Sequence, residues 1–95
     1  MRVRIRGKQW TVKRERLSSA RGICDHPEEP GRTIRISKSL KDAEELEVLL
    51  HEMLHAAFWD LDEGVVETVS EDLSAALWRM GYRKAATIKT KPIKQ

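Results

Sequence analysis

The hydrophobic period of the chain changes once, near residue 38, from 2 residues to about 3.6. Before that point the stretches RVRIR, QWTVKRERL and RTIRIS alternate apolar and polar side chains, as strands with one buried face do. After it, apolar side chains recur at three- and four-residue spacing, which is typical of one face of a helix. We therefore expect an α+β fold, with a small antiparallel sheet of about three strands followed by a helical hairpin.

Turn residues divide the sheet half of the chain. Gly7-Lys8 interrupts the alternation, so residues 2–17 are expected to form a β-hairpin. Residues 18–32 are rich in Ser, Gly and Pro and are predicted to be mostly loop, although GIC at 22–24 could add a short strand.

Capping residues set the expected ends of the helices. The first helix is predicted over about residues 41–59, with Ser39 or Asp42 as its cap. Asp62 is the expected cap of the second helix, and Gly81 is its natural end. The chain is thus one domain, residues 1–95, with a sheet (1–37), a helical hairpin (38–82) and a basic tail (83–95).

Composition excludes several classes of protein. Hydrophobic residues make up 40% of the chain and charged residues 35%, as in a soluble globular protein. No apolar run approaches the roughly 18 residues of a spanning helix, and no signal peptide is recognisable, so we expect a cytoplasmic protein with no membrane partner. Cys24 is the only cysteine, which excludes an intramolecular disulfide. The net charge of +3 is too small to imply nucleic-acid binding by itself.

The stretch HEMLH, residues 51–55, has the spacing of a zinc site on a helix. His51 and His55 are one turn apart, so their imidazoles project from the same face and can converge on one Zn²⁺. Glu52 is rotated about the helix axis by about 100° from His51. From there its side chain can reach a water molecule bound to the ion but is poorly placed to bind the ion itself. The pattern therefore predicts two ligands and one general base.

A third protein ligand is expected on the second helix. If the chain reverses around Leu61, residues equally distant from that turn face each other, which pairs His55 with Glu67 and His51 with Glu71. Glu67 is therefore predicted to be the third zinc ligand, with Glu63 and Glu71 as competitors for that place. Glu71 is predicted to accept a hydrogen bond from the other ring nitrogen of His51.

The segment LLHEMLHAAFWDLDEGVVETVSEDLSAALWRMGYR resembles the HExxH metallopeptidases of the gluzincin type, and small phage-encoded members in particular. The resemblance covers residues 31–83 well and the N-terminal hairpin loosely. It implies that His51, His55 and Glu67 bind zinc and that Glu52 is the general base in peptide-bond hydrolysis. Two features depart from that family. Glu71 stands where an aspartate is more usual, and the chain lacks the large second lobe of full-sized members.

Other interpretations of these residues stay open at this point. The chain could be a non-enzymatic module in which zinc stabilises a small core that binds a protein or nucleic acid. Arg2, Arg4 and Arg6 form either a solvated strand face or a nucleic-acid track. The CDH stretch at 24–26 is either loop or a second metal site, and Trp59 is either packing or a wall of a substrate groove. A strand at the sheet edge could pair with an extended peptide substrate.

Overall fold

Four strands precede two helices in the computed structural model of the chain, which describes residues 1–85. Most of the expected basic tail, residues 86–95, lies outside the described residues. The α+β class and the helical hairpin are confirmed. The elements are β1 (Arg2–Ile5), β2 (Lys8–Glu15), β3 (Gly22–Cys24), β4 (Thr33–Ser37), α1 (Asp42–Ala57) and α2 (Glu63–Arg79).

The sheet is mixed, with the strand order β1-β2-β4-β3. β1 and β2 are antiparallel and joined at Arg6-Gly7, one residue earlier than expected, where both residues have positive φ (48° and 78°). Two such residues make the two-residue turn that suits the twist of a hairpin. β4 pairs parallel to β2 and antiparallel to β3. The short strand that GIC could add is present as β3, at an edge of the sheet, and the difference from the expected antiparallel sheet is the parallel pairing of β2 with β4.

One face of the sheet packs against α1 and forms the core. Alternation places Trp10 and Val12 of β2 beside Ile34 and Ile36 of β4, and all four are buried. Arg2 and Arg4 lie on the opposite face and are exposed. The buried apolar residues of this cluster are Ile5, Trp10, Val12, Ile34, Ile36, Leu40, Val48 and Ala56.

α2 packs against α1 and, within residues 1–85, its backbone does not come close to any strand. Its start is capped as predicted, because the Asp62 carboxylate accepts hydrogen bonds from the backbone N–H groups of Gly64 and Val65 at 2.9 and 3.3 Å. It ends before Gly81, whose φ of 95° only glycine adopts easily. Neither described helix is long and apolar enough to cross a membrane.

α1 begins differently from the expectation. Lys41 occupies the cap position and its side chain makes no capping hydrogen bond. The predicted caps are wrong because both side chains have other roles or geometry: the Ser39 hydroxyl lies 2.9 Å from that of Ser37, and Asp42 has a positive φ of 54°.

Asp62→Ala should lower the free energy of unfolding by about 1 kcal/mol, because two N–H groups of α2 lose their acceptor. In a domain of this size that loss lowers the melting temperature by about 4–8 °C. Thermal denaturation followed by circular dichroism, with a chelator in every sample, measures it. Asp60→Ala is the matched control, because the exposed Asp60 side chain accepts no hydrogen bond from residues 1–85. An equal loss in the control would contradict the capping role.

Candidate metal centre

The side chains of His51, His55 and Glu63 converge on one point between the two helices. Each histidine Nε2 lies 3.0 Å from a Glu63 carboxylate oxygen, and the two Nε2 atoms are 3.2 Å apart. Ligands of a tetrahedral zinc ion at about 2.0 to 2.1 Å are separated by roughly 3.3 Å. Each of these contacts is nearly as long as the distance between two zinc ligands, but the two histidines face different oxygens of Glu63. With one atom taken from each residue, the three donors lie within 4.8 Å of one another, and the donor set suits zinc.

The helical hairpin brings these three residues together. His51 and His55 are one turn apart on α1, and their side chains are mostly buried, with 21% and 19% exposed. Glu63 is the first residue of α2, and 68% of its side chain is exposed. Its carboxylate therefore lies between the two histidines and the solvent. The buried Ser70 hydroxyl lies 3.5 Å from His51 Nδ1, the ring nitrogen that does not face Glu63.

The structure places Glu63, rather than Glu67, beside the two histidines. The reason is a shift of one residue in how α2 faces α1. Val66 and Ser70 are fully buried at the helix interface, whereas the count from the turn predicted positions 67 and 71 there. A shift of one residue rotates a side chain by about 100°. Glu67 and Glu71 are consequently exposed, and Ser70 occupies the position beside His51 that was expected for Glu71.

Glu52 lies on the side of the cleft that faces the sheet. Its residue surface is 7% exposed, and it packs against β3 at Gly22, where an added β-carbon would lie 2.9 Å from both Glu52 Cγ and Oε2. Burial raises the pKa of the Glu52 carboxyl; His51 opposes that rise and the charge of Glu63 adds to it. A carboxylate with a raised pKa at the wall of a cleft is suited to accept a proton.

β3 forms the opposite wall of this cleft. The sequence indicated only that residues 22–24 could be a strand, because pairing with β4 depends on residues distant in the chain. Trp59 also lines the cleft, and its ring lies 6.3 Å from His55 and 4.7 Å from His26. The full lining is Gly22, Ile23, Cys24, His51, Glu52, His55, Trp59, Leu61 and Glu63.

The CDH stretch does not form a second group of three metal-binding side chains within residues 1–85. Asp25 instead receives hydrogen bonds from the backbone N–H of Thr33 and from Arg35. His26 Nδ1 accepts one from the backbone N–H of Glu28. These contacts shape the loop that follows β3.

No protein-family model, curated protein or solved structure matches this chain. The function of the cleft therefore has to be inferred from the chemistry of its own residues.

Wild-type protein should bind one zinc ion per chain, and His51→Ala should abolish stoichiometric binding, because one ligand of three is lost. In competition with a chromogenic chelator, Glu63→Ala should lose more than about 100-fold in affinity, beyond the 10- to 100-fold range of residues that only support a ligand. Glu67→Ala, one turn away on the same helix, is the matched control. If Glu67→Ala loses more zinc affinity than Glu63→Ala does, Glu67 is the third ligand, as the count from the turn predicted.

Cys24 should react slowly with thiol reagents in the folded, metal-free protein. Burial raises the pKa of its thiol to about 12, and the charges of Glu52 and Asp25 add to the rise. Because the thiolate is the nucleophile, alkylation by iodoacetamide at pH 8 should be on the order of a thousandfold slower than in urea-unfolded chain. Mass spectrometry of timed samples measures both rates. Similar rates in the two states would contradict the raised pKa.

Proposed function

We propose that this chain is a zinc-dependent peptidase in which His51, His55 and Glu63 hold the ion and Glu52 is the general base. The observation that carries the proposal is the convergence of two histidine nitrogens, 3.2 Å apart and each 3.0 Å from one oxygen of Glu63, on a cleft that Glu52 also lines. Two histidines and one carboxylate are a donor set typical of catalytic zinc, which keeps a fourth position for water or substrate.

Zinc bound there supplies Lewis-acid polarisation of a substrate carbonyl and lowers the pKa of water. The side chains of the cleft perform the remaining steps. Glu52 accepts a proton from the attacking water and returns it to the leaving amine. Ser70 helps to hold the ring of His51 in place from the far side.

Two features favour an enzyme over a zinc-stabilised binding module. A structural zinc site usually closes all four positions with protein ligands, whereas within residues 1–85 only three such side chains gather. Glu52 is not one of the three, yet it is buried at the edge of their cleft. A buried carboxylate is costly to ionise, and a structural site has no use for it.

β3 supports a peptide as the substrate. It pairs with β4 on one side, and in the described part of the chain no strand pairs with its other side. An extended peptide can add to such an edge through backbone hydrogen bonds. Because β3 and the two histidines line the same cleft, a peptide held there passes beside the proposed zinc.

Glu52→Gln should keep zinc and fold while removing peptide hydrolysis, because the amide cannot accept a proton. Wild type and variant, both zinc-loaded, are incubated with a mixed peptide library, and new termini are identified by mass spectrometry. Glu71→Gln, the same change at an exposed position on α2, is the matched control and should cleave at the wild-type rate.

Equal cleavage by wild type and Glu52→Gln would exclude Glu52 as the base. Cleavage by neither, with zinc bound at full occupancy, would favour the binding module. Zinc content is measured on the same samples, so loss of metal is distinguished from loss of the base.

A further inference from the structure

The two ends of the proposed substrate cleft differ in chemistry. The cleft continues along β3 beyond the metal centre, because a second cavity shares its walls at Gly22, His51 and Glu52. Towards Cys24, the cleft is lined by large side chains that are apolar and partly exposed. They are Ile23 (42% exposed), Trp59 (40%) and Leu61 (37%).

The other end of the cleft is negatively charged. It is lined by Arg21, Glu47 and Val48. Arg21 is neutralised by Glu44, whose carboxylate lies 2.7 Å from its guanidinium. Glu47 is partly buried and has no ion-pair partner within residues 1–85. A cation placed at this end of the cleft would therefore meet one uncompensated carboxylate.

The direction of β3 orients a bound peptide relative to these two ends. β3 runs from Gly22, which lines both cavities, to Cys24, which lines only the apolar one. Antiparallel pairing is the more common and slightly more stable arrangement of strands. A peptide paired in that way with β3 has its N-terminal half at the apolar end and its C-terminal half beside Glu47.

We infer that the preferred ligand of the cleft is an extended peptide with a large apolar side chain before the scissile bond and a lysine or arginine after it. The inference rests on the proposed peptidase function. Trp59 and Leu61 contact the apolar side chain, and Glu47 pairs with the basic one. A carboxylate that is partly shielded from water interacts more strongly with a cation than a fully exposed one does.

Binding to zinc-loaded Glu52→Gln tests the inference without requiring hydrolysis. Fluorescence anisotropy compares three labelled, end-blocked peptides with the central sequences Phe-Lys, Phe-Glu and Lys-Phe, each flanked by alanines. The Phe-Lys peptide should bind about threefold to tenfold more tightly than either of the others. In the Glu52→Gln protein, the second substitution Glu47→Gln should remove the preference for lysine over glutamate. Glu47→Lys in the same background should invert that preference. Glu71→Lys, the same charge change on the exposed side of α2, should leave the preference unchanged.

Equal binding of Phe-Lys and Phe-Glu, tighter binding of Lys-Phe, or no binding of any peptide at millimolar concentration would overturn the inference. So would a preference that Glu71→Lys changes as much as Glu47→Lys does. If the proposed peptidase function is wrong but the inferred binding preference is right, the result differs from all of these. In that case Phe-Lys binds selectively to zinc-loaded Glu52→Gln, but wild type cleaves neither peptide. If wild type cleaves the Phe-Glu peptide as fast as the Phe-Lys peptide, the proposed peptidase function stands and the inferred preference for a basic residue is wrong.

Discussion

The contact between β3 and α1 at Gly22 determines the geometry of the cleft. A β-carbon at this position would lie 2.8 Å from Val48 Cγ1 and 2.9 Å from Glu52, closer than real side chains approach. Only glycine lets the edge strand lie directly on the helix without displacing one of them. The same contact buries Glu52 and leaves β3, an edge strand of the sheet formed by residues 1–85, beside the two histidines. A wider gap would expose the carboxylate and separate the strand from the candidate metal centre.

Burying Glu52 has a cost in stability that depends on pH. Its pKa is raised in the folded protein above the ordinary value of 4.5, mainly by burial. In the metal-free protein, its contribution to stability is therefore fully present below pH 4.5 and is lost as the pH rises through the folded-state pKa. Once ionised, the buried carboxylate weakens the fold. A residue retained in spite of such a cost is expected at functional sites, where stability and activity conflict.

Sequence patterns predicted the local features well. The change of period indicated strands before helices, Asp62 indicated the start of α2, and the spacing of His51 and His55 indicated their convergence, since all of these depend on neighbouring residues. The edge position of β3 and the parallel pairing of β2 with β4 depend on distant parts of the chain, which a periodicity does not encode. The register of α2 on α1 is equally non-local. A shift of one residue there brought Ser70 to His51 and turned Glu67 outward.

Charge is segregated between the two layers that enclose the cleft. Residues 1–41 contain twelve Lys and Arg against four Asp and Glu, whereas residues 42–79 contain eleven Asp and Glu against one Arg. Ion pairs such as Arg14 with Glu45 and Arg21 with Glu44 join the layers, and the second, in which both side chains are exposed, contributes little by itself. The larger effect is on ligands, because summed charges attract ions over longer distances. The two histidines and Glu63 belong to the acidic layer, whose field attracts cations towards the candidate metal centre. Salt screens that field over about 10 Å, so this long-range attraction weakens at high ionic strength, whereas direct bonds to a metal held by the three residues would not.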